Sequence, residues 1–245
     1  MKQLNFVFIF GCIALHNPFN VLPFPPIGHS HNDYHQKRPF KTAIDAGMKS
    51  IEADVFLHKD ALYVGHTSWE LKHAHTLSAL YLQPIAEAVC NGKPYPTELL
   101  IDVKTEAKST LNAIIKALNE YPDVFNAQSA IKIVISGNRP KPCEWEKLPP
   151  YILFDGRPNE NYTDCELNSV YIISDNFRHY KGFRFGKYKL HKLANTIQKV
   201  HSEGKMIRFW KTHDSESTWK RLAKLGVDVI NTDKPLVLKR FLDKK

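Results

Sequence analysis

From Pro26 onward, short apolar runs alternate with stretches whose apolar residues fall at helical spacing. The runs at 26–30, 49–56, 98–103, 130–136, 151–155, 170–174, 205–210 and 228–232 predict strands, with a short extra one at 62–65. Between them, 80–89, 110–118, 191–202 and 216–225 carry the spacing of helices that bury one face, and Ala43, Ile44 and Ala46 mark a shorter amphipathic segment closing on Gly47. Gly226 follows the last helical stretch, where a residue free to turn left-handed ends a helix at least cost. Eight strand-like runs, mostly with a helix between, predict parallel strands closed into a single α/β domain, a (β/α)8 TIM barrel. The segments after the fourth and fifth strands, 138–150 and 157–169, are too short or too proline-rich for full helices, so irregularity is expected around strands four to six. A chain of 245 residues, 43% hydrophobic, suffices for one such domain over 26–245, and no repeat or linker marks a second.

Residues 1–15 read as an export signal. Lys2 is its positive end, and the apolar stretch 4–15 is shorter than the roughly 20 residues that span a bilayer. Ile9-Phe10-Gly11-Cys12 loosely resembles a lipoprotein cleavage box, with Cys12 as the acylated residue. Residues 16–25, with Pro18, Pro23 and Pro25, form an extended lead-in. The expectation is export: periplasmic, secreted or lipoprotein-anchored. Cys90, Cys143 and Cys165 would remain in the mature chain, and Cys143 and Cys165 could pair across the fifth strand if their geometry allows. The net charge of +9 comes largely from lysine, and no basic run is interleaved with aromatics in a nucleic-acid motif. No nucleic-acid partner is expected. Such a surface would concentrate anionic substrates and favour peripheral contact with anionic lipid.

Reactive groups gather where the predicted strands end, which in a barrel is one face. The first strand leads to His29 and His31. The second carries Glu52 and Asp54, two positions apart and so on one side, the arrangement that offers paired hard oxygen ligands to a divalent cation. His66 follows the short extra strand, and Asp102 and Lys104 share parity at the end of the third. Later ends bring Arg139, Asp155 and Arg157, Asp175, Trp210 and Asp233. One polar strand end means little, because loops begin there. Two acids on an otherwise apolar central strand mean more, because burying them without a cation is costly.

These residues resemble the glycerophosphodiester phosphodiesterase group of the phosphatidylinositol-phospholipase-C-like barrels. The shared pattern is a histidine closing the first strand, Gly47 to Asp54 as Gly-x-x-x-apolar-Glu-x-Asp, and Tyr63-Val64-Gly65-His66. Ile101-Asp102-Val103-Lys104-Thr105 is similar to the third-strand motif of the sphingomyelinase D branch. Ile207-Arg208-Phe209-Trp210 and Gly226 to Pro235 are similar to the closing segments of the family. Residues 106–204 match no quoted motif. The chain departs from the family at His29-Ser30-His31-Asn32-Asp33-Tyr34, where His-Arg-Gly is usual, so the phosphate-binding arginine is missing there; the Pro-Glu-Asn-Thr segment is absent too. This resembles an outlying subfamily whose substrate need not be a glycerophosphodiester.

The resemblance implies a metal-dependent phosphodiester hydrolase acting on a glycerophosphodiester or phospholipid headgroup, as a monomer. Glu52, Asp54 and Asp102 would hold one Mg²⁺ or Ca²⁺, with His29 and His66 as general base and acid. Either register of the first histidine fits: His29-x-x-Asn32 resembles the sphingomyelinase D form and is preferred, and Gly-x-His31-x-Asp33 resembles the phospholipase C form. Lys104 would add charge beside the phosphate, Asn32 would contact substrate, Arg139 or Arg157 would replace the missing arginine, and Trp210 would wall the leaving group. Two other readings stay open. His29-Ser30-His31 is also how amidohydrolase-type barrels begin, with both imidazoles on a metal and Asp233 at the eighth strand; those need histidines where this chain has Asp155-Gly156 and Ser174-Asp175. The other is a non-catalytic barrel that binds phosphate or lipid.

Overall fold

The computed structural model describes residues 25–181 and 189–244. The predicted export signal, Cys12 and most of the lead-in lie outside them. Nine strands form one sheet: β1 (Ile27–Ser30), β2 (Ser50–His58), β3 (Ala61–Val64), β4 (Glu98–Val103), β5 (Lys132–Gly137), β6 (Ile152–Gly156), β7 (Val170–Asn176), β8 (Met206–Trp210) and β9 (Val229–Thr232). Eight of them run parallel in sequence order, and β1 pairs with both β2 and β9, which closes the barrel. β3 is the exception. It folds back antiparallel on β2 through Lys59 and Asp60, both at positive φ (48° and 63°), the backbone of a tight hairpin whose twist matches its strands.

The helices are α1 (Lys41–Asp45), α2 (Gln83–Cys90, preceded by a π-helical turn over Ser78–Leu82), α3 (Ala107–Leu118), α4 (Asp164–Ser169), α5 (Leu190–Ser202), α6 (Glu216–Lys224) and α7 (Pro235–Leu242). The expected irregularity is present. A 3₁₀ turn, Pro142–Lys147, stands where the helix after β5 would be, and α4 has six residues. Sequence reading had no helix at 235–242; Pro235 opens α7 in its first turn, where a missing N–H costs nothing. Cys90, Cys143 and Cys165 are free and exposed, so the Cys143–Cys165 bridge is not formed. No helix among the described residues is long and apolar enough to cross a membrane.

Strand alternation sorts the core. Outward positions pack under the helices, while Leu100, Val134, Ile172 and Val229 meet as a separate apolar layer inside the barrel. Two residues further along β4, the inward position is Asp102, and on β2 the inward positions are Ser50, Glu52 and Asp54. Apart from Glu98 at the start of β4, the interior turns from apolar to charged toward the C-terminal ends of the strands. That gradient places the site.

Where the helix is missing, Trp145 covers β6 instead. Its ring stacks on Phe154 at 4.1 Å and 6°, and its Nε1–H donates to the Pro140 carbonyl at 2.9 Å. Phe154 is fully buried. Phe154→Ala should therefore cost about 3–5 kcal/mol, as large-to-small changes do in cores that cannot collapse, measured by urea unfolding. A cost below 1 kcal/mol (roughly that of an exposed site) would mean the 3₁₀ turn does not seal the barrel.

Candidate active site

Sheet register brings the acids together. Asp54 on β2 pairs directly with Asp102 on β4, Glu52 lies two residues earlier, and one oxygen from each lies within 4.8 Å of the others. Lys104 Nζ reaches Asp54 Oδ2 at 2.9 Å and Asp102 Oδ2 at 3.2 Å. Asp54 Oδ1 is buried with no hydrogen-bond partner. A buried carboxylate oxygen without a donor is costly, and a hard cation among three carboxylates removes that cost, so the residues fit a divalent ion. Burial, then the neighbouring Glu52 charge, raises the Asp54 pKa and pushes Asp102 up to about 6. For Glu52, burial opposes ionisation, but His31, His29 and Arg208 outweigh it and hold the carboxyl well below its ordinary range.

Gly137 ends β5 at φ +68°, and a Cβ there would overlap Asp102 Oδ1 and the Val103 carbonyl. The close passage of this backbone fixes the Asp102 carboxylate.

The two candidates for the first histidine differ in depth. His29 is fully buried inside the barrel and does not line the cavity, which corrects its expected place at the reacting centre. Its Nδ1 lies 2.5 Å from Ser50 Oγ, and its Nε2 lies 2.8 Å from Glu52 Oε2 and 2.6 Å from Arg208 Nη1. Burial, then the Arg208 charge, lowers its pKa to about 4, so the ring stays neutral near pH 7. His31, just past the strand, is the one at the cavity. Its backbone N–H donates to the Thr232 carbonyl at 3.0 Å, its Nδ1 meets Asp233 Oδ1 at 2.6 Å, and its Nε2 lies 3.8 Å from Glu52 Oε1. Burial would lower its pKa, but Glu52 and Asp233 prevail and raise it. The turn that follows is anchored by buried Asp33, which accepts from the Ser30 hydroxyl (2.8 Å), the Phe40 N–H (2.6 Å) and the Tyr81 hydroxyl (3.1 Å). His66, more than half exposed, puts Nδ1 3.1 Å from Asp54 Oδ2. The acid cluster therefore has a histidine at each end, and His29 with His31 does not form a paired-imidazole metal site.

A cavity of about 540 Å³ opens over this cluster. Asn32, Lys104, Arg157 and Trp210 line it, as expected. Asn32 sits at φ +47°, which asparagine tolerates, with the Tyr34 hydroxyl donating to its Oδ1. Arg157 pairs with Asp155 Oδ2 at 2.9 Å. Arg139 is the second correction. It turns away to Glu160 (2.7 Å) and the face of Trp145, because the loop after β6 offers it an acid and the 3₁₀ segment a ring, neither of them lining the cavity.

Sequence reasoning missed Arg208. This side chain is 3% exposed, yet it reaches the cavity floor. Nη1 donates to Glu52 Oε2 at 2.8 Å, Nε donates to Ser174 Oγ at 3.0 Å, and Nη2 lies 3.5 Å from Asp155 Oδ2. By gripping one oxygen of Glu52 it leaves Oε1 facing the cavity. Its signal was a lone arginine inside an apolar strand, at the same parity as Trp210.

The chain is thus a parallel eight-stranded barrel with three carboxylates and two histidines at its C-terminal mouth. Residues 19–94 match the AIM6-like phosphodiesterase domain model, and residues 206–235 match that of the glycerophosphoryl diester phosphodiesterase family. Altered inheritance of mitochondria protein 6 homolog from Arthroderma benhamiae is 27% identical over 260 residues, covering 87% of this chain and 82% of its own. Among solved structures, a glycerophosphodiester phosphodiesterase from Parabacteroides distasonis superposes with TM-score 0.57 at 16% identity, covering 90% of this chain and 98% of its own. A Ca²⁺-dependent phosphatidylinositol-specific phospholipase C from Streptomyces antibioticus does so with TM-score 0.59 at 11% identity, covering 87% and 95%. These matches support the superfamily of glycerophosphodiester phosphodiesterases and phosphatidylinositol-specific phospholipases C, and the fold is theirs.

Gly137→Ala should displace Asp102 and weaken cation binding at least tenfold, about 1.4 kcal/mol by calorimetric titration. Unchanged affinity would place the ion elsewhere. A second expectation concerns Glu98, fully buried opposite Ser50 with both oxygens unpartnered. Burial pushes its pKa from 4.5 up to about 7, so the folded state holds a proton that the unfolded chain releases. Its stability contribution is complete below pH 4.5 and is lost as pH rises to 7, by about 3 kcal/mol at most. In urea unfolding, Glu98→Gln should gain on wild type across that window and keep its advantage at pH 8. A difference flat with pH would refute the assignment.

Proposed function

We propose that the protein is a metal-dependent phosphodiester hydrolase whose acid and base are His31 and His66. The observation that carries this reading is the carboxylate cluster of Glu52, Asp54 and Asp102 with one histidine at each end. These carboxylates would hold a divalent cation, Mg²⁺ or Ca²⁺, which supplies charge neutralisation at a non-bridging phosphate oxygen when bound. The likeness to a Ca²⁺-dependent phospholipase C supports a need for a divalent ion.

This chain's residues then do the following. Arg208, with His29 held by Ser50, fixes Glu52 at the inner side of the cluster, and Asp233 orients His31 through Nδ1, leaving Nε2 toward the substrate. A water or a neighbouring hydroxyl attacks phosphorus and gives its proton to one histidine; the bond to the leaving alcohol breaks as the other histidine protonates that oxygen. Lys104 and Arg157 present positive charge to the phosphate, Asn32 offers its amide at the rim, and Trp210 supplies an apolar wall. The likeness to glycerophosphodiester phosphodiesterases supports a glycerophosphodiester or phospholipid headgroup as substrate.

The test is hydrolysis of bis(p-nitrophenyl) phosphate and glycerophosphocholine with and without EDTA. His31→Ala and His66→Ala should each lower kcat by roughly 100-fold or more, the usual share of general acid–base catalysis. Chelation should abolish turnover, and added Mg²⁺ or Ca²⁺ should restore it. Turnover indifferent to EDTA or to His66→Ala would overturn the mechanism. Tight phosphate binding without turnover of either ester would favour a non-catalytic barrel.

A further inference from the structure

The β2–β3 hairpin and the turn after it carry a surface that this chemistry does not use. Trp69 is 95% exposed, far more than Leu190 and Leu236, the other exposed large apolar side chains noted among the described residues. It does not dangle. Its 3₁₀ turn, Ser68–Glu70, is pinned because the Glu70 carboxylate accepts from the His66 N–H at 2.9 Å and meets His35 Nε2 at 3.1 Å. Beside it, a cavity of about 360 Å³ is lined by His58, Lys59, Tyr63, Leu71, Lys72 and His73, together with Ser68. No acid lines it. Glu70, the acid of the turn, is spent on His66 and His35, and Asp60 at the hairpin tip is not among the lining residues. An indole held out in water next to a basic, acid-free cavity combines an interfacial anchor with an anion seat.

We propose that this surface docks on the anionic face of a phospholipid bilayer. Trp69 enters the boundary between headgroups and acyl chains, while Lys59 and Lys72 meet lipid phosphates. His66 lies three residues from Trp69 and lines the site cavity, so docking brings the barrel mouth to the lipid surface. The docking claim stands without the phosphodiesterase reading. If both hold, the substrate is presented from a membrane.

The test is co-sedimentation of the full chain with vesicles of phosphatidylcholine alone and with phosphatidylserine added. Wild type should partition onto the mixed vesicles and be released by salt. Trp69→Ser should cut partitioning roughly tenfold on both vesicle types, since it removes buried apolar area at the interface. Lys59→Gln with Lys72→Gln should erase the preference for phosphatidylserine. All these positions are on the surface, so melting temperatures should match wild type. Equal partitioning by wild type and Trp69→Ser would overturn the proposal, as would wild-type binding to soluble glycerophosphoserine but not to vesicles. Because the readout is binding, a catalytically silent protein that still docks would sink only the enzyme reading.

Discussion

The charges inside the barrel have to be balanced within the barrel. Glu52, Asp54, Glu98 and Asp155 are buried there, and isolated carboxylates cannot stay ionised in such surroundings. Arg208 answers most of that demand. It comes from β8, crosses the interior and contacts Glu52, Asp155, Ser174 and His29 at once. Removing one partner from a buried network of this kind leaves the others uncompensated, which is far more damaging than never having had the network. Arg157 and Lys104 serve the upper tier, and the orphaned oxygen of Asp54 marks the place where protein cations run out. A metal fits where the balance is still short.

The barrel was legible because its strands are apolar runs with polar ends, and every predicted strand exists within about two residues. The acid cluster was legible for a related reason. Parity on one strand is a local property, and Glu52 with Asp54 shows it without knowledge of the rest. Depth is not local. His29 and His31 share parity and chemistry, and only the end of β1 at Ser30 decides that one lies inside and the other at the rim, about 6.6 Å further along by strand rise. Arg208 was hidden because an arginine in a strand ordinarily faces solvent. Arg139 and Arg157 could not be told apart, since their directions depend on Trp145 in a 3₁₀ turn and on Glu160 and Tyr162 in the loop after β6, which have no periodicity to read.

The resemblance quoted from sequence motifs and the matched segments agree on where the signal lies. Both include the stretch from β1 to β3 and the closing stretch of β8 and β9, while the Ile101–Thr105 motif lies between the matched segments. The stretch between the two matched segments holds β4, β5, β6 and β7, and it contributes Asp102, Gly137, Asp155 and Arg157 to the cavity.

The in-register pairing of Asp54 with Asp102 has a consequence for how the protein could change over time. Both acids sit on hydrogen-bonded strands, and their spacing is set by the sheet itself. Loops at the same face can lengthen at small entropic cost, since closure grows only slowly with length. A descendant could therefore change what the cavity admits by rewriting 138–150 or 157–169 while its carboxylate oxygens stayed where they are. The acid cluster is inherited with the barrel, and the shape of the cavity around it is free to drift.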